Sequence, residues 1–389
     1  MVSKRKILVI TRWFPNPAEP VKCVFTKNIV DAQSESKKYS FVVISPIPYF
    51  PHIKIPLFKK YAKFSDVPLV EKRENYKVYR PKYLKLPYPY LLIFEWYPYF
   101  LQVLKTIKEK NIKFDLIHCH GIYPDGLVGV KIGKHFNKKV VLHIHESYLN
   151  ADKKLNLYKK ILTSVNWLIP VSNSQLNRIS KVHNRLIEKC KVIYNGVKID
   201  KKLTPLENPE QSDRKIIKLV FIGHLIYIKG LDVLLKALAY LGDYEFSLDI
   251  IGNGRSLKEY RRLAKRRSLD DKVSFLGEID NDNLLKRLAE YDYLVLPSRY
   301  ETFGVVLIEA MSRGLPVIST RVGPIPEIVT SEEVGILVEP ENPESLAEGL
   351  KRAFSKNWDR AYIRKYTEKF SIERTVEKIE RVYDELTVS

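Results

Sequence analysis

Cysteine is scarce in this chain of 389 residues, with only Cys23, Cys119 and Cys190. None stands at metal-ligand spacing from another and three cannot all pair, so a disulfide framework is excluded and a reducing compartment is expected. Long hydrophobic runs are also missing. No stretch reaches the roughly 18 consecutive apolar residues that a membrane span needs. The run Ile7-Leu8-Val9-Ile10 is too short for a signal-peptide core and leads straight to Arg12, so it reads as a first strand in a cytoplasmic protein. Glutamine is rare beside abundant Lys and Ile, a composition that leans toward a thermophilic source. Acidic residues are sparse in one half only. Positions 1–200 hold 36 Lys and Arg against 14 Asp and Glu, while the whole chain carries +21, so the remainder is near neutral. Nucleic acid, an anionic membrane surface, a phosphate-bearing acceptor or plain solvent could face such a half. No helix-turn-helix, zinc-finger or RNA-recognition signature is present, which counts against nucleic acid.

The length fits two domains of ordinary size. Apolar strand-like runs alternate with helical periodicity through both halves, as in doubly wound parallel sheets. In the first half the strands are expected at Ile7–Thr11, Phe41–Ser45, Asp115–His118, Val140–His143, Trp167–Val171 and Lys191–Tyr194. A Pro- and Tyr-rich insertion from Pro46 to about Pro98 is expected to be irregular. The polar stretch 201–215, with Pro205 and Pro209, reads as an interdomain linker. The second half repeats the alternation from Ile216 to residue 371 without repeating the sequence, so these are two like folds and not a repeat array.

The most informative segment is Ser298-Arg299-Tyr300-Glu301-Thr302-Phe303-Gly304-Val305-Val306-Leu307-Ile308-Glu309. It follows the apolar run Tyr293–Pro297, a buried strand, and opens a helix. Phe303, Gly304 and Val305 fall at the helix N-terminus, where unpaired N–H groups and the macrodipole attract an anion. Glu301 precedes that point and Glu309 lies about two turns beyond it. Amides facing charge and carboxylates facing hydroxyls suit a sugar diphosphate.

At this segment the chain resembles the family 4 glycosyltransferases, retaining enzymes of the GT-B fold that use nucleotide-sugar donors. The resemblance implies two Rossmann-like domains facing across a cleft: residues 1–200, joined by the C-terminal helix 372–389 packing back, and residues 216–371, which hold the donor. It implies that Glu301 contacts the transferred sugar, that Glu309 binds the ribose hydroxyls, and that the amides of Phe303, Gly304 and Val305 face sugar and diphosphate.

Other motifs fit this frame. In Gly223-His224-Leu225-Ile226-Tyr227-Ile228-Lys229-Gly230, Lys229 is placed to meet a phosphate at the C-terminal edge of the sheet. The segment resembles the family's Gly-Arg-x-x-x-x-Lys-Gly. His224 stands where the family usually has Arg; by position it joins the donor-binding residues, although it lacks the guanidinium fork. Ile251-Gly252-Asn253-Gly254 reads as a tight turn, since the third Gly of a dinucleotide fingerprint is missing. Two His-x-His pairs, His118/His120 and His143/His145, end neighbouring strands. Residues i and i+2 share a face, so four imidazoles could converge on a metal. In the resemblance His145 matches the family's His near the transferred sugar, followed here by Glu146 where Gly is more frequent. Cys23 stands where a subgroup has Gly and reads as a packing residue. The aromatics of 76–110, among them Tyr79, Tyr83, Tyr88, Tyr90, Phe94, Trp96, Tyr97 and Tyr99, are interleaved with Lys and suit either a membrane interface or a packed flap.

The expectation is a retaining glycosyltransferase moving a sugar from a UDP-, GDP- or ADP-sugar to a glycan or lipid-linked hydroxyl. By resemblance it needs no metal or other cofactor. It is expected in the cytoplasm, peripheral on the inner face of the membrane. A nucleotide-sugar epimerase on the same fold and a polyanion or nucleic-acid binder are the alternatives.

Overall fold

The structure, a computed structural model, describes residues 4–20, 23–49, 62–85, 94–146, 155–199 and 216–387. The expected linker 201–215 and Tyr88 and Tyr90 lie outside the described residues. Two compact units divide the chain, Met1–Gly196 with Ile372–Ser389, and Val197–Ser371.

Nine strands of the first unit are described: β1 (Arg5–Ile10), β2 (Tyr39–Ile44), β3 (Ile47–Tyr49), β4 (Val70–Lys72), β5 (Lys77–Tyr79), β6 (Lys82–Leu84), β7 (Leu116–His120), β8 (Lys139–Ile144) and β9 (Trp167–Pro170). Seven form a sheet in the order β4-β5-β2-β1-β7-β8-β9, parallel except for β4 against β5, and β3 pairs with β6. Ile7, Leu8, Val9 and Ile10 are wholly buried because helices cover both faces, as parallel sheets require. Strand alternation sorts the core. Leu8, Ile10, Ile117, Cys119, Leu142 and Ile144 pack on one side with the helices Trp96–Glu109 and Leu127–Phe136. Ile7, Val9, Leu116 and Val141 pack on the other with Ile29 and Val30 of the helix Val24–Ser34 and Ile379, Val382 and Tyr383 of the helix Ile372–Thr387. His118, His120 and His143 fall on this second side by the same alternation.

Two expectations are corrected here. The described part of the 46–98 insertion is not irregular: it supplies β3, β4, β5 and β6 and the start of the helix Trp96–Glu109. Pro98 sits in that helix's first turn, where a missing N–H costs no hydrogen bond. Lys191–Tyr194 is not a strand. It runs beside β9 through only two backbone bonds, Lys191 N–H to Leu168 O and Ile193 N–H to Pro170 O, both 3.0 Å.

In the second unit, β10 (Ile217–Ile222), β11 (Phe246–Ile251), β12 (Val273–Gly277), β13 (Tyr293–Leu296), β14 (Val317–Thr320) and β15 (Gly335–Val338) form an all-parallel sheet in the order β12-β11-β10-β13-β14-β15. The order reverses between β10 and β13, the neighbours of consecutive strands that run outward in both directions. Ligands of open α/β sheets bind at the carboxyl ends of strands flanking such a switch. The loops following β10 and β13 carry Lys229 and Glu301.

Candidate active site

The loop after β13 leads into the helix Val305–Ser312, and Gly304 caps its start with φ +97°, a left-handed conformation that side chains rarely adopt. Phe303 is buried and Glu309 is half-buried on the helix's second turn. Glu301, 6% exposed, is held from two sides: its Oε1 accepts from Lys229 Nζ at 2.5 Å and from Ser298 Oγ at 2.8 Å. Lys229 and Glu301 are thus brought together across 72 positions. Gly230 makes that approach possible. Its φ is +69°, and a Cβ there would stand 1.9 Å from Pro297 O, so only glycine lets the loop after β10 lie against the loop after β13.

Arg299 fastens the same two loops. Its guanidinium pairs bidentately with Asp232 at 2.7 and 2.8 Å, donates to Glu341 Oε1 at 2.8 Å and to Tyr227 O at 2.7 Å, and lies 3.8 Å from the Tyr227 ring centroid. Its backbone N–H donates to Ile228 O at 2.8 Å. Burial works against the Asp232 carboxylate, but the Arg299 hydrogen bonds outweigh it and hold its pKa below the ordinary range. Arg299 and Asp232 were not assigned roles from sequence. The signal that could have found them is their position, one beside Ser298 in the motif and one two residues after Gly230. His224 is exposed, outside the Lys229–Glu301 contact.

In the first unit His145 follows β8, half-buried, with its ring 4.7 Å from Phe25 and 4.3 Å from His143. His145 Nε2 lies 3.0 Å from His120 Nδ1. His118 Nδ1 lies 2.6 Å from the Tyr383 hydroxyl, which also receives a hydrogen bond from Gln33 Nε2 at 3.2 Å. Burial pushes all four imidazoles toward the neutral form, His120 down to about 3 and His118, His143 and His145 well below the ordinary value. The four rings adjoin one another in a column, but only three of them bring their nitrogens toward one point. His118, His120 and His143 bring ring nitrogens within 4.8 Å of one another. Neighbouring ligand atoms of tetrahedral zinc, bound at 2.0–2.1 Å, stand only about 3.4 Å apart. That triad contains no carboxylate or thiolate, so a dication would keep its full charge in the core. Hydrogen bonds to His145 and Tyr383 already engage one nitrogen each of His120 and His118.

Beside the column, Glu146 Oε1 accepts from Ile122 N–H at 2.8 Å and fixes the 121–126 turn. Asp125, missed because Pro-Asp-Gly reads simply as a turn, is wholly buried, and accepts from Arg12 N–H at 2.8 Å and from the Tyr99 hydroxyl at 2.5 Å. Burial raises its pKa to about 7 against the opposing pull of Arg12.

The 76–110 aromatics divide between core and surface. Tyr76, Tyr83 and Tyr99 are buried, whereas Phe94, just before the helix Trp96–Glu109, and Tyr97 and Leu101 on it are exposed, as are Lys105, which pairs with Glu109 at 3.7 Å, and Lys108. Lys82 and Lys85 are not free surface charges: Lys82 Nζ donates to Ser65 O at 2.8 Å and Lys85 pairs with Glu95 at 2.6 Å.

Comparison with known proteins identifies the family. Residues 205–370 match the family of glycosyl transferases group 1, and residues 61–201 match glycosyltransferase family 4. An uncharacterised glycosyltransferase of Methanocaldococcus jannaschii is 31% identical over 322 residues, 77% of this chain and 80% of the relative. Among solved structures, sucrose-phosphate synthase from Thermosynechococcus elongatus superposes with a TM-score of 0.78 at 20% identity, covering 99% of this chain and 100% of that one. Anabaena HepE in complex with UDP and glucose gives 0.72 at 19% identity, covering 98% and 100%. With two parallel-sheet units and both halves matched, the chain belongs to the group 1, family 4-like glycosyltransferases of the GT-B type.

Proposed function

We propose that this glycosyltransferase moves a sugar from a nucleotide donor to a hydroxyl of a glycan or lipid-linked acceptor, with retention of anomeric configuration. The observation that carries the donor half is the Lys229–Glu301 contact beside the N-terminus of the helix Val305–Ser312. Lys229 and the helix-start amides supply positive charge for a diphosphate. Glu301 supplies a fixed acceptor for sugar hydroxyls, and Glu309 one for the ribose. His224, in the same loop after β10, adds an exposed hydrogen-bonding group. In this reading the diphosphate charge is met by the protein and no metal is needed. Anabaena HepE, crystallised with UDP and glucose, supports a nucleotide-sugar donor of this kind. In the first unit, His145 offers the sugar a neutral imidazole.

The acceptor is read from the surface of the first unit. Phe94, Tyr97 and Leu101 beside Lys105 and Lys108 form an apolar strip with a basic edge, suited to an anionic membrane that presents a lipid-linked acceptor. No helix of the described residues is long and apolar enough to cross a membrane.

A thermal-shift panel of UDP-, GDP- and ADP-sugars tests the donor. One of them at 100 times its dissociation constant should stabilise the protein by about 2.7 kcal/mol. No shift with any nucleotide sugar, in protein that melts cooperatively, would refute the reading. An epimerase would convert donor without acceptor; a transferase requires both.

A further inference from the structure

His120 is the last residue of β7 and is wholly buried. The parallel register sets it opposite His143, and its ring is wedged 4.2 Å from the ring of His118 and 5.1 Å from that of His143. Its one hydrogen bond in the column goes outward to His145, where Nδ1 and Nε2 are 3.0 Å apart. The two ring planes differ by 4° and the centroids are 5.3 Å apart. That separation is the nitrogen–nitrogen distance plus about two ring radii, so the rings lie end to end in one plane. The shared proton therefore points along the lone pair, the favourable hydrogen-bond geometry. Among the described residues, His120 Nε2 and His145 Nδ1 have no hydrogen-bond partner. The bond between the rings consequently couples their tautomers: with His120 Nδ1 donating, His145 carries its proton on Nδ1, and with His145 Nε2 donating, His120 carries its proton on Nε2.

We infer that His120 is a positioning residue for His145, fixing the plane and the tautomer of the imidazole that the proposed function sets beside the transferred sugar. The inference rests on that function. It adds a residue that makes no substrate contact, held inside the sheet so that the ring beyond the strand end cannot turn. Metal-binding histidines use the same device, a second group on one nitrogen deciding what the other nitrogen presents. Here the orienting group is another neutral imidazole. His145 can then give or accept a hydrogen bond at Nδ1 without the proton exchanging between its two nitrogens.

Three substitutions separate positioning from packing. The amide of Asn reaches the place of the Nδ1 atom, the amide of Gln that of Nε2, and Leu fills the volume with no polar atom. His120→Asn should recover turnover to within about fivefold of the parent. His120→Gln and His120→Leu should lose at least about tenfold in kcat, the weight of one hydrogen bond, with affinity for the free nucleoside diphosphate held. Long-range proton–nitrogen NMR of histidine-labelled protein reads the tautomer directly, without activity. His145 should show one tautomer in the parent and in His120→Asn, and a mixture in His120→Leu. Equal activity in all three variants, equal loss in all three, or a tautomer mixture in the parent would overturn the inference. Retained turnover in His145→Ala would instead overturn the role of His145 itself.

Discussion

In the second unit the candidate site is charged and interlocked, Lys229 on Glu301 and Arg299 on Asp232 and Glu341, all between two strand-end loops. In the first unit the matching strand ends carry imidazoles that burial keeps neutral, with Asp125 held near half-protonation at neutral pH. The surfaces reverse this, since positions 1–200 carry nearly all of the net charge. Each site therefore presents a different chemistry to its ligand. In the proposed reading the charged groups of the second unit serve the donor's diphosphate and hydroxyls, whereas the first unit offers neutral imidazoles. The basic surface of the first unit enters the proposed reading through membrane docking and not through either site.

The comparison breaks most visibly in acid. Each buried histidine binds its proton in the unfolded chain near pH 6.5 but not in the folded unit, His120 not until about pH 3. Stability present above pH 6.5 is thus lost as pH falls toward the folded values, by about 1.4 kcal/mol per pH unit for each histidine. Asp125 acts oppositely. Its folded pKa of about 7 lies above the ordinary 3.8, so its contribution is full below about pH 4 and fades as pH rises through 7. Four protons outweigh one. Denaturation monitored through Trp13, Trp96 and Trp167 of the first unit should therefore show a steep loss of stability from pH 6.5 to 5. A flat profile would mean that the imidazole column takes up protons without unfolding.

A smaller effect sharpens the second site. Glu309→Ala should weaken nucleoside diphosphate and nucleotide sugar alike by roughly 10- to 150-fold, the worth of one charge-assisted hydrogen bond. Calorimetric titration checks it, and unchanged affinity for the free nucleotide would remove Glu309 from the ribose. The smallest effect concerns the surface. Lys105→Gln with Lys108→Gln should cost about 1 kcal/mol per charge in binding to anionic vesicles, and more salt should mask the difference. Co-sedimentation equal to that of the parent at low salt would leave those lysines as solvated charge.

How much of this was legible in the sequence follows from how locally each part is encoded. β1, β10 and β13 announce themselves as apolar runs because buried parallel strands have no polar face. The helix Trp96–Glu109 was hidden by its aromatics and by Pro98, and Lys191–Tyr194 imitates a strand without enough partners to be one. The second site was readable because residues 298 to 309 carry loop, turn and helix start in one stretch. Its contact between Lys229 and Glu301 was not readable, since it depends on Gly230 letting one backbone approach Pro297 O. The Arg299–Asp232 pair was hidden for the same reason. In the first unit the His-x-His spacing gave the shared face correctly, but whether the rings would bind each other or an ion depended on ring planes and burial that spacing does not contain.

The claim at the centre is that Glu301 acts on the transferred sugar while its neighbours hold the nucleotide. The direct measurement is kcat beside the dissociation constant of the free nucleoside diphosphate for Glu301→Gln. The prediction is a fall of roughly 10- to 150-fold or more in kcat, with nucleotide affinity within a few-fold of the parent. Equal losses in both would contradict the account and make Glu301 a nucleotide-holding residue.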